Sequence, residues 1–322
     1  MTHFALVDVR TRVPMLDAID AMRWAFEAVS TGVANMPTRI HMHPENTQNT
    51  HIFMPAYIPQ SPCGTYPASM TCKAVSVVPS NRGSAIPVTN GIVMVLSPVT
   101  GVVLALLDGT GLTTLRTGAA AGFASRLLSR PDAKTLLVIG AGGQAFYQVA
   151  AVLAVRPITR IILASRTRER ADTLALKVVS ELGFSGIMHV VDIANVDTAV
   201  AEADIICTVT TSAVPVFSRD AVQPGTHINA SGAYLPHMFE VPLETIASAR
   251  FYVDRLSSAL HESGEVVQGI ERGVFLPSQI LGELGAVSLG LVDGRRSPQD
   301  VTIFKSAGLA AQDAVVAGIA LA

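Results

Sequence analysis

Apolar residues recur at helical spacing over residues 14–31, at Met15, Ile19, Met22, Phe26 and Val29, with Gly32 placed as a stop. From 39 to 107 the period shortens. The runs "RIHMH", "HIFMPAYI", "TCKAVSVV", "GIVMVL" and "VVLALL" have strand length, and the turn formers "PENTQN", "PSNRGS" and "SPVTG" separate them. That pattern predicts an antiparallel or mixed sheet. Residues 113–129, "TTLRTGAAAGFASRLLS", predict a long helix of small residues, with "RPDAKT" as its exit.

Beyond it the pattern alternates: strand 134–139, helix 143–155, strand 159–164, helix 168–182, strand 186–191, helix 194–202, strand 204–209. Such alternation implies right-handed βαβ units with both sheet faces covered. The fold class is therefore α/β, a Rossmann-type doubly wound parallel sheet plus a mixed α+β domain. A chain of 322 residues has length for both. The boundaries read as 118–297 for the parallel domain and 1–117 with 298–322 for the other. The last helix, 306–321, is apolar on most sides and is expected to pack back on the N-terminal part.

Composition narrows the function classes. Apolar residues make up 49% and charged residues 15%, and the formal net charge is −2. There is no broad basic field for nucleic acid or an anionic membrane. Cys63, Cys72 and Cys207 are scattered and odd in number, which suits a reducing cytosol. The opening "MTHFALVDVRTR" reaches Asp8 too soon for a signal peptide. Two uncharged stretches, 136–155 and 91–107, are broken by a glycine turn and by "SPVTG", so they read as buried core rather than membrane spans. His41 and His43 share a strand face near His51, but no acid or cysteine completes a metal set.

Gly140, Gly142, Gly143, Gln144 and Ala145 lie in "GAGGQA", which fits G-x-G-x-x-A after a strand and before a helix. The first glycine permits the turn, the second admits a pyrophosphate to backbone N–H groups, and Ala145 keeps helix and strand close. At the end of the second strand, where NAD domains place an acid for the ribose hydroxyl, stand Ser165, Arg166 and Thr167. An arginine flanked by hydroxyls suits a 2′-phosphate, so NADPH is favoured, with NADH as the alternative. On the other reading Arg166 merely begins the helix in "RTRER".

At "CKAV" (72–75), "LRTGAA" (115–120), "GAGGQA" (140–145), "GTHINASGA" (225–233) and "FKSAGLAAQD" (304–313) the chain resembles the ornithine cyclodeaminase/mu-crystallin family. The matches keep their order and cover nearly the whole length. The resemblance implies an N-terminal domain that binds a small amino or imino acid and forms a homodimer, supplying the floor over which nicotinamide lies. It implies an active-site lysine at Lys73 and a carboxylate-binding arginine at Arg116. Arg39, Met54 and Ala307 fall at its substrate positions. Arg116, Thr117, Thr208, Val209, Thr210, Ala230, Ser231, Gly232 and Ser306 fall at its cofactor positions. The chemistry agrees, since a carboxylate in an apolar surround needs charge-assisted donors, and a lysine among apolar residues needs a partner. For Lys73 and Arg116 the competing reading is an ordinary buried ion pair.

Three positions depart from the cyclodeaminases. Tyr234 stands where they carry a catalytic aspartate, Arg166 where they tend to carry an acid, and Lys305 where they carry an aspartate. A cyclodeaminase needs a recycled NAD and a proton-shuttling acid; a one-way reductase needs neither. The expectation is thus a cytoplasmic NADPH-dependent reductase of a small cyclic ketimine carboxylate, Δ1-pyrroline-2-carboxylate giving proline. Lys73 could polarise or protonate the imine, and Tyr234 could line the site or relay a proton. The alternatives are ornithine cyclodeaminase or alanine dehydrogenase chemistry, and a non-catalytic ligand-binding protein.

Overall fold

The computed structural model describes residues 6–81 and 83–322. Residues 1–5, on which the reading of the N-terminus partly rests, and Arg82 of the "PSNRGS" turn lie outside them. In chain order the elements are β1 (Leu6–Val7), α1 (Met15–Ser30), β2 (Ile40–Met42), β3 (Thr50–Ile58), β4 (Ser69–Val77), β5 (Thr89–Leu96), β6 (Val103–Asp108) and α2 (Gly109–Leu128). Then come β7 (Thr135–Ile139), α3 (Ala145–Val155), β8 (Arg160–Ser165), α4 (Arg168–Leu182), β9 (Ile187–Asp192), α5 (Val196–Ala201), β10 (Ile205–Thr208) and β11 (His227–Ala230). The chain closes with α6 (Leu243–Ser248), β12 (Arg250–Val253), α7 (Leu256–Glu262), α8 (Gly264–Glu271), β13 (Ile280–Glu283), α9 (Leu284–Ser288), β14 (Thr302–Lys305) and α10 (Ala310–Leu321).

These elements form two compact units, residues 1–116 with 309–322, and residues 117–308. The first contains a six-stranded sheet in the order β1-β6-β5-β4-β3-β2. It is mixed: β1 runs parallel to β6 and every other pair is antiparallel. Burial alternates along β3 and β4, as a one-sided core requires. The inner face packs under α1 and α10, with Trp24, Ala28, Ile52, Met54, Ile58, Ala314 and Val315 in one core. α10 takes this place because apolar and small residues cover it on most sides.

The second unit is an eight-stranded parallel sheet in the order β13-β12-β14-β11-β10-β7-β8-β9. Two apolar cores line its faces, as a doubly wound sheet demands. The sequence placed residues 298–308 in the first domain and read a helix from 306. Instead β14 pairs with both β11 and β12, and α10 starts only at Ala310. A fully buried four-residue strand, "TIFK", has no period to betray it, so its backbone bonding to two neighbours decides its place. α2 likewise begins four residues earlier than 113, because the Asp108 carboxylate accepts the N–H groups of Thr110 and Gly111.

Candidate active site

On the inner face of the first unit's sheet, Lys73 of β4 lies across from Met54 of β3 and Val93 of β5. It is 1% exposed. Its ammonium meets a carboxylate from the far end of the chain: Nζ is 2.7 Å from Asp313 Oδ2. Arg116, from α2, brings Nε to 3.2 Å from Asp313 Oδ1. Its Nη1 donates to Gln312 Oε1 at 3.0 Å, and Thr113 Oγ1 lies 3.4 Å from Lys73 Nζ. Gln312 also accepts the Leu309 N–H, which fixes the first turn of α10 where Asp313 sits. One buried carboxylate thus faces two cations.

Burial pushes the Lys73 ammonium down to about 8; Asp313 raises it, while Arg116 and Arg39 lower it again. Lys73, Arg116 and Met54 therefore come together in one place, with Arg39 within electrostatic reach. The guanidinium is not an open fork, since its Nε edge is engaged by Asp313. Sequence reasoning missed Asp313, Gln312 and Thr113. The available signal was a lone acid between Ser306 and Ala322, in a run with no other charge: a helix buried all round cannot keep an acid without a cation.

In the second unit the glycine turn follows β7. Gly140 has φ of 109°, and a Cβ there would lie 2.9 Å from the Val209 carbonyl oxygen, so only glycine serves. At Gly142 and Gly143 a Cβ would meet nothing within 4 Å. No side chain caps α3 at Gln144, and Ala145 is fully buried. Gln144 Oε1, Thr208 Oγ1 and Ser231 Oγ are buried at the turn and at the ends of β10 and β11, with no hydrogen-bond partner among the described residues. An open turn at an uncapped helix start, ringed by orphaned polar atoms, fits a dinucleotide. Thr117 is the first residue of this unit and is buried.

Ser165 ends β8, its hydroxyl accepting the Thr167 N–H at 3.2 Å. Arg166 is exposed and precedes α4, which begins at Arg168. The 208–211 and 230–234 segments leave β10 and β11, with Val209, Thr210 and Gly232 partly buried. Burial raises the Tyr234 phenol above its ordinary value. Ser306 and Ala307 follow β14, where the Asp254 carboxylate accepts the Ala307 N–H at 2.7 Å. Among the described residues no group of three His, Cys, Asp or Glu is placed to hold a metal ion. His41 and His43 stack, and His51 bonds Ser76. No helix of the described residues is long and apolar enough to cross a membrane.

The chain has relatives among known proteins. The profile of the ornithine cyclodeaminase/mu-crystallin family matches residues 2–320. A Delta(1)-pyrroline-2-carboxylate reductase of Bacillus cereus is 38% identical over 309 residues, 96% of this chain and 92% of that protein. Thermococcus litoralis Delta(1)-pyrroline-2-carboxylate reductase, solved in complex with NADH and L-proline, superposes with a TM-score of 0.92 at 31% identity, covering 99% of this chain and 96% of that one. An archaeal alanine dehydrogenase dimer with bound NAD gives 0.90 at 30% identity, covering 100% and 95%. With a profile match over nearly its full length, the chain belongs to the ornithine cyclodeaminase/mu-crystallin family.

Proposed function

We propose that this protein is an NADPH-dependent reductase of a small cyclic ketimine carboxylate, converting Δ1-pyrroline-2-carboxylate to L-proline. One observation carries the reading. Lys73 and Arg116 share the single carboxylate of Asp313 in a buried place, so an entering carboxylate meets a surplus of positive charge. The two relatives named above as pyrroline-2-carboxylate reductases supply the substrate class.

Arg116, with Arg39 nearby, holds the substrate carboxylate, and Met54, across from Lys73, lines the same place. Bound nicotinamide supplies hydride to the C=N carbon. Lys73 gives a proton from Nζ to the ring nitrogen, so one C–H and one N–H bond form, and Lys73 is reprotonated from solvent. With a pKa of about 8 it is charged at neutral pH yet a willing donor. The "GAGGQA" turn takes the pyrophosphate, Arg166 with Ser165 and Thr167 takes a 2′-phosphate, and the loops at Thr208–Thr210, Ala230–Gly232 and Ser306 line the nicotinamide half. The raised Tyr234 phenol is a poor base at neutral pH, which favours reduction of a preformed imine over cyclodeamination.

The outer face of the first unit's sheet supports a homodimer. Phe53, Ile92, Met70 and Leu104 are exposed there, and Phe53 and Ile92 flank Ala74 across three neighbouring strands. A face this apolar calls for a cover. A second copy suits it, since the superposed archaeal alanine dehydrogenase is a dimer. The reading places the enzyme in a reducing cytosol, where Cys63, Cys72 and Cys207 stay thiols.

The test is NADPH oxidation with five- and six-membered ketimine carboxylates and with pyruvate plus ammonia. Rapid turnover of the five-membered ring is expected. Sustained ammonia release from ornithine with catalytic NAD would overturn the reading. Tyr234→Phe should keep most activity, since Lys73 supplies the proton; a sharp loss would assign that proton to the Tyr234 hydroxyl instead.

A further inference from the structure

The second unit buries a charged cluster beneath the ends of β10 and β11. The Glu240 carboxylate is fully buried and accepts three backbone N–H groups: Thr210 at 2.6 Å, Gly232 at 2.7 Å and Ala233 at 3.0 Å. Lys305, at the end of β14, donates from Nζ to the Ala233 carbonyl at 2.6 Å and pairs with Glu265 at 3.0 Å. Glu265 in turn accepts the Glu240 backbone N–H at 3.1 Å. Ala233 is held by both its backbone groups, one against an anion and one against a cation. The loops are tight as well: a Cβ on Gly232 would clash with the backbone N and O of Thr210.

Such an arrangement is costly, because three ionisable side chains are withdrawn from water, and desolvation raises the Glu240 pKa. The bonds fix two loops that no regular element continues. In a doubly wound sheet the adenosine half lies over the strands flanking the glycine turn on the β8 and β9 side. The nicotinamide half then lies over β10, β11 and β14, where this cluster sits.

We propose that Glu240 and Lys305 are positioning residues for the nicotinamide half of the cofactor, clamping Ala233 so that Gly232 and the start of Tyr234 keep a fixed place. The proposal rests on the reading that this unit binds a nicotinamide dinucleotide. It separates the two halves of that ligand: the clamp acts on one and leaves the other alone.

The experiment compares wild type with Lys305→Met/Glu265→Gln, which removes the ion pair as a unit, keeps the cluster's net charge and leaves the Glu240 carboxylate on its three N–H donors. NADPH, NADH and 2′,5′-ADP are titrated against each by calorimetry. The expected result is NADPH weakened at least tenfold with 2′,5′-ADP within twofold of wild type. Equal weakening of both, or no change in either, would overturn the clamp's role. Should the double variant not fold, amide exchange in ligand-free wild type decides: the N–H groups of Thr210, Gly232 and Ala233 should be protected together, and exchange at open-loop rates overturns the proposal. Wild type that binds none of the nicotinamide nucleotides overturns the dinucleotide reading itself, an outcome distinct from loss in the variant alone.

Discussion

Lys73 and Asp313 meet at 2.7 Å inside the first unit, a strand residue and a helix residue each withdrawn from solvent. Burial alone would drive the lysine toward its neutral form; the carboxylate keeps it ionised at neutral pH. Arg116 on the same carboxylate makes the aspartate a shared counter-ion rather than half of a closed pair.

A pH profile reads this relationship. If Lys73 donates the proton, kcat for imine reduction should fall as pH rises through about 8, where the donor form is lost. Asp313→Asn removes the influence that raises the lysine's pKa, so the fall should move to lower pH. Rates measured from mildly acidic to alkaline pH check it, and an unmoved limb would show that Lys73 is not the group titrating.

If Arg166 reads a 2′-phosphate, its removal should change cofactor choice. Exposed ahead of α4, it can reach a ligand without repacking. Arg166→Ala should weaken NADPH by roughly 1.5–3 kcal/mol, the scale of a hydrogen bond to a charged group, and leave NADH nearly unchanged. Parallel titrations of the two nucleotides measure the difference; equal losses would refute a 2′-phosphate contact.

The outer sheet face gives an assembly test. Ile92→Lys places a charge at the middle of the exposed apolar row without touching the inner core. Light scattering should report a dimer for wild type and a monomer for the variant, with the thermal midpoint of the isolated chain little changed. A variant that stays dimeric would put the interface elsewhere.

Acid should loosen the second unit through His227. Burial, and next Arg295, hold this imidazole down at about 3, against 6.5 when exposed, and it sits neutral between Thr302 and Asn229. The unfolded chain therefore binds a proton that the folded chain refuses below about pH 6.5, so stability is full above that pH and declines beneath it. At about pH 5 the loss is about 2 kcal/mol. Urea unfolding at neutral and mildly acidic pH should show it, with a smaller difference in His227→Gln.

Much of the architecture is legible in short runs of residues. Strand and helix periodicities marked the elements through residue 209, the glycine turn marked the dinucleotide domain, and Lys73 and Arg116 stood out as charges in apolar or small-residue stretches. These signals are local, each written within a short run of neighbours. The remainder depends on partners far apart in the chain. β14 belongs to the parallel sheet because β11 and β12 bond to it from either side, which a buried four-residue run cannot announce. Asp313 reaches Lys73 because α10 returns to the first unit's sheet. The departures at Tyr234 and Lys305, unrelated on the page of sequence, adjoin the same residue, Ala233. A carboxylate or ammonium bears no mark of its partner until folding withdraws both from water, and it is that desolvation which makes each pairing obligatory.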